Sequence, residues 1–165
     1  MKTIKAFLKI TLGVFLMTTV AFANNNNPKN IESSSELNNE YVTVVHENST
    51  QPEAEFLSGL ITDYDVRDFE EFDSGKEEYQ VIYRSNKGSA YVNYDKEGRI
   101  ISVNKNLKNV LVSSKIFKQV SEKYEGWEVV KNKYKESYRL GQDVQKTYIL
   151  TLQNGKDKKK IRVNA

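Results

Sequence analysis

One histidine and no cysteine set the chemical bounds of this 165-residue chain. A serine or cysteine nucleophile works with a base held beside it, so a lone histidine and no thiol leave nucleophile–histidine catalysis without its parts. His46 falls at the end of a strand-like stretch and reads as an ordinary strand-end residue. His46-Glu47-Asn48-Ser49-Thr50 lacks the second histidine of a zinc-protease helix. Nucleotidyl transfer on paired histidines is excluded on the same count. Phosphate-cradling loops need glycines between a strand and a helix, whereas Gly155-Lys156-Asp157 falls on a hairpin. Asp63, Asp65, Asp68, Glu70, Glu71 and Asp73 offer oxygen ligands at near-alternating positions, which is the chemistry calcium takes. Arg67 and Asp68, however, stand where a calcium loop needs a ligand and then a glycine. The run reads as a solvated acidic loop, and no metal or cofactor is expected. Asp63 and Asp65 are where an enzyme of unrecognised type would be sought.

The basic residues give a better surface. Lys131, Lys133 and Lys135 share one face of a strand by period two, with Tyr134 and Tyr138 projecting from the other. Arg139, Lys146 and Arg162 come from neighbouring elements of the same half of the chain, as do Lys158 and Lys160. Lys131, Lys133, Lys135, Arg139, Lys146 and Arg162 are therefore the candidate partner-binding residues, for an acidic protein or an anionic envelope polymer. The alternative use of such lysines is to keep an exposed or edge strand soluble.

The elements that position these residues begin after an export signal. Lys2 and Lys5 precede a mostly apolar stretch to Val20, and Ala21-Phe22-Ala23 offers small residues where a signal peptidase reads. Residues 1–23 are expected to be a cleaved signal, which sends the protein to the periplasm or the medium. Residues 24–40, rich in Asn, Ser and Glu, read as a disordered tether. Residues 41–165 are long enough for one domain with a real core. Beyond the signal there are 22 basic and 22 acidic residues. Residues 24–78 hold 14 acidic and 3 basic residues, and residues 79–165 hold 8 acidic and 19 basic. That split fits an anion-binding C-terminal half, or two parts of one domain whose surfaces attract each other; the second is preferred.

Residues 41–46 (YVTVVH) have the β-branched content of a strand. From Pro52, Phe56, Leu57, Leu60, Ile61 and Tyr64 recur at helical spacing. Residues 78–85, 89–94 and 99–104 alternate as strands joined by turns at Asn86-Lys87-Gly88 and Asp95-Lys96-Glu97-Gly98. The order then repeats. A helix capped by Ser113 or Ser114 carries Ile116, Phe117, Val120 and Tyr124 and stops at Gly126. Strands follow at 127–138, 147–153 and 159–164, the last two joined at Asn154-Gly155. Tandem helix-plus-three-strand units predict an α+β fold: an antiparallel sheet with two helices on one face and the other face open.

Residues 91–163 resemble the bacterial exported PepSY-like proteins, a group also described as β-lactamase-inhibitor-like. The similarity rests on Tyr94-Asp95-Lys96-Glu97-Gly98 with the following Ile-Ile-Ser-Val, on Lys108-Asn109-Val110, on Tyr124-Glu125-Gly126-Trp127-Glu128-Val129-Val130, and on Asn154-Gly155 with Lys160-Ile161-Arg162-Val163. Related sequences often read Leu-Pro before the second helix and Tyr-Pro-Gly after it, where this chain has Val112-Ser113 and Tyr124-Glu125-Gly126. Serine still caps and glycine still terminates. The resemblance implies an export-compartment protein that acts by holding other proteins, and it transfers no catalytic residues. The expected function is thus a non-enzymatic binding or inhibitory module for an envelope protein or an exported enzyme. Neither nucleic acid nor a membrane span after cleavage is expected.

Overall fold

The computed structural model describes residues 33–48, 51–72 and 75–165. The expected signal, the tether up to residue 32, and Asp73 lie outside them. From residue 78 onward the alternating segments become six antiparallel strands in one sheet, each beside its neighbour in sequence: β1 (Glu78–Arg84), β2 (Gly88–Asp95), β3 (Ile100–Lys108), β4 (Glu128–Arg139), β5 (Gln145–Asn154) and β6 (Asp157–Asn164). Register shifts at Asn93/Tyr94 and between Val129 and Lys131 interrupt the ladder, and the second leaves Val130 exposed. Gly155 closes the β5–β6 hairpin at φ 57° and Gly126 ends the helical segment before β4 at φ 75°, a region where a side chain would meet its own backbone.

The helices are α1 (Ser34–Leu37), α2 (Asn39–Asn48), α3 (Pro52–Thr62) and α4 (Ser114–Lys123), with a short 3-10 turn at Val66–Asp68. Among the described residues no helix is long and apolar enough to cross a membrane. Pro52 opens α3, and Ser113 caps α4 by accepting the Ile116 amide. Both helices bury part of their apolar stripes in one core with the inner sheet face, while Phe56 and Phe117, expected in those stripes, are exposed. α3 places Leu57 and Ile61 there, and α4 places Ile116 and Val120.

Two expectations for the start of the domain are corrected. Residues 41–46 form part of helix α2, not a strand. Residues 33–40, expected within the tether, are ordered as α1 and the first turn of α2. A capping box holds α1: the Ser33 hydroxyl accepts the Glu36 amide, and the Glu36 carboxylate accepts the Ser33 amide. Asn38, between the two helices, is buried and accepts the Ile100 amide at 2.7 Å. Tyr41 and Val45, one helical turn apart, are buried, and the Tyr41 ring meets that of Tyr138 edge-on at 5.1 Å. Burial of this stripe outweighs the few tenths of a kcal/mol by which β-branched residues disfavour a helix.

Candidate functional site

Successive residues of a strand point to opposite faces, so strand parity decides which chemistry meets solvent. Val103, Lys105 and Leu107 of β3 oppose Tyr138, Glu136 and Tyr134 of β4, and all six are buried under the helices. The intervening positions carry the outer face. There Lys108, Lys133, Ile149 and Arg162 fall in one cross-strand row over β3 to β6. Lys131, Thr151 and Lys160 form the row on one side, and Asn106, Lys135, Thr147 and Asn164 the row on the other. Lys108, Lys131, Lys133, Lys135, Lys160 and Arg162 are all exposed. Lys108 and Lys133 stand directly opposite each other, an arrangement that repels and leaves a field that an anionic group would relieve.

The candidate set therefore divides. Lys131, Lys133, Lys135 and Arg162 share this basic strip. Arg139, opposite Ser102, is exposed at the far end of β4 and belongs to a different, mostly uncharged region of the same sheet. Lys146 departs from the expectation. It pairs with Glu136 in register, points to the helix side, retains only 10% side-chain exposure, and lies 4.0 Å from the Glu136 Oε2. Its position two residues before Tyr148 and four before Leu150 gives it their inward parity. Lys159 is likewise inward, with its ammonium 4.1 Å from the Trp127 ring centre and 4.3 Å from that of Tyr124, while Lys158 and Lys160 face outward.

The helix side holds a second ionisable group of residues, which escapes a search for catalytic motifs. Lys105 is 1% exposed and Glu136 6%. The Lys105 ammonium donates to the Glu136 Oε1 at 2.6 Å and to the Ser58 hydroxyl of α3, and the Tyr134 hydroxyl donates to the Glu136 Oε2 at 2.7 Å. Burial holds Lys105 below the usual lysine range, with Glu136 pulling the other way; Lys146 is shifted down for the same reasons. A serine beside a lysine is a chemical possibility, but the Ser58 proton is bonded to the Ala54 carbonyl at 3.0 Å, and Ser58 is buried. The geometry ties α3 to the sheet and offers Ser58 no exposed reacting partner. Lys105 and Glu136 could have been found by parity, since each is a charged residue in a strand's run of inward apolar positions.

The other sequence candidates are dispersed. His46 is on α2 rather than a strand, and its side chain lies outside the description. Asp65 caps the 3-10 turn and binds the Arg67 guanidinium at 2.8 and 2.6 Å, so its carboxyl lies below the usual range. Among the described residues no three His, Cys, Asp or Glu side chains converge as metal ligands would. Compared with protein-family models, with curated proteins and with solved structures, the chain matches none.

Proposed function

We propose that this chain is an exported, non-enzymatic binding or inhibitory module of the PepSY-like kind, and that it takes an acidic surface of a protein partner on its open sheet face. The observation that supports this reading is the strip of Lys108, Lys131, Lys133, Lys135, Lys160 and Arg162 on that face, exposed and without an acidic residue in its rows. Interfaces bury about 800 Å² on each partner, and charge complementarity of this sort speeds encounter and rejects wrong partners. Partners are an envelope protein or an exported enzyme. The experiment is capture from envelope extract by the full chain and by the Lys131→Glu, Lys133→Glu, Lys135→Glu triple variant. A partner retained by the first and lost by the second is expected; identical recovery from both refutes the face.

A second reading is favoured by the same strip of cations: an anionic envelope polymer as ligand. Retention on a polyanion resin that vanishes at moderate salt, where exposed charges are screened beyond about 8 Å, with no protein captured, would select it.

A further inference from the structure

The other end of the open face differs in chemistry from the lysine strip. Asn93, Ser102, Asn104, Ser137 and Gln145 line a hollow of about 410 Å³ there, completed by Arg139, Gln142 and Asp143 at the β4–β5 connection. That volume falls within the roughly 300–1,000 Å³ of small-molecule sites, most of which are apolar. This one is walled by amides and hydroxyls. Asn93 donates to the Ser102 hydroxyl at 3.0 Å and accepts from Gln80 at 2.9 Å, which fixes both side chains. Among the described residues none hydrogen-bonds the side chains of Asn104, Ser137, Gln142 and Gln145, which leaves them to a ligand.

The lining selects a ligand by elimination. An apolar molecule would cover these groups without offering them a hydrogen-bond partner. An anion would meet Asp143 and a cation would meet Arg139. Amides and hydroxyls each donate and accept, so the complement is an uncharged molecule dense in groups that do both. Tyr91 adds direction. It stands opposite Asn104 in the β2–β3 register, is 36% exposed, and so flanks the hollow on the Asn104 side without belonging to its lining. A pyranose has this pairing of an apolar C–H face with a rim of hydroxyls.

We propose that the hollow binds an uncharged saccharide, with a pyranose ring on Tyr91 and its hydroxyls shared among Asn104, Ser137, Gln145, Arg139 and Asp143. This site is independent of the protein-binding strip. The test titrates the full chain with cellotetraose and with the tetramer of N-acetylglucosamine, and with tetragalacturonate as the charged comparison, by calorimetry. At least one neutral tetrasaccharide is expected to bind with little dependence on salt. Tyr91→Ala and Asn104→Leu, both at exposed positions and checked for an unchanged circular dichroism spectrum, should each weaken it about tenfold. The triple lysine reversal should leave it unchanged. Failure of both neutral tetrasaccharides to bind overturns the proposal. Binding that survives both substitutions does so too, as does binding confined to tetragalacturonate and lost on reversing the lysines.

Discussion

At the residue scale the buried pair Lys105 and Glu136 is the most consequential feature. Two charges taken from water gain little over a hydrophobic pair of similar volume, yet removing one partner strands the other and costs about 3–5 kcal/mol. Glu136 accepts from both Lys105 and Tyr134, so Glu136→Gln keeps the shape while removing the charge that balances the ammonium. A drop of about 3–5 kcal/mol in unfolding free energy is expected, read as a lower urea midpoint at unchanged slope. Lys105→Met combined with Glu136→Leu should recover most of that loss. If the single variant is as stable as the parent, the pair does not hold the core as described. The pair also opposes misregistration of β3 on β4. A one-residue slip would turn Glu136 outward and leave Lys105 alone inside, which is a reason for a charged pair where a Val–Leu pair would pack.

At the element scale the two helix-plus-three-strand units were legible because their periods are clean: Tyr79, Val81 and Tyr83 alternate, and Ile116, Val120 and Tyr124 recur every four. The N-terminal helices were not. Tyr41-Val42-Thr43-Val44-Val45 has strand composition, and only the four-residue interval between Tyr41 and Val45 betrays the buried helical stripe. The Ser33-to-Glu36 capping box was a readable start signal, masked by the polar composition around it. Asn38 fastens this segment to the sheet because its side-chain oxygen accepts from the Ile100 amide at 2.7 Å, while its amide nitrogen donates to the Ser34 carbonyl at 3.0 Å. Asn38→Ala leaves a buried amide without its acceptor, at about 1–3 kcal/mol. Faster hydrogen exchange at Ile100 is expected, with the amides of β5 and β6 little changed. Unaltered protection at Ile100 would mean that α1 and α2 are not anchored by this contact.

For the whole molecule, the charge split along the chain becomes a split across the sheet. The described acidic part contributes α1, α2 and α3 to the helical side, which it shares with α4 of the basic part, while Lys108, Lys131, Lys133, Lys135, Lys160 and Arg162 lie on the outer face of β3 to β6. The expectation that the halves neutralise each other finds slight support: Lys87 and Glu53 join them at 4.0 Å, whereas Lys105–Glu136 and Arg99–Asp95 lie within the basic part. The tight meeting of the layers is aromatic. Tyr41 from α2, Tyr83 from β1, Tyr94 from β2 and Tyr138 from β4 converge on the core, and the Tyr83 and Tyr94 hydroxyls share a hydrogen bond of 2.9 Å. Burial pushes Tyr83, and Tyr64 beside it, up to about 12, and raises Tyr41, Tyr94 and Tyr138 above the ordinary phenol value as well. Above pH 10 the unfolded chain releases phenol protons that the fold retains, so it binds fewer protons and stability falls as pH rises. The contribution is complete below pH 10 and is lost through about pH 12. Lys105 and Lys146, with folded values shifted down, act in the opposite sense below the usual lysine value, but they are fewer than the five tyrosines. An alkaline titration should therefore show tyrosinate absorbance lagging that of free tyrosine, then rising together with loss of the sheet's circular dichroism in one cooperative step. Independent titration of every tyrosine near pH 10, with the sheet intact, would contradict the aromatic join between the helices and the strands.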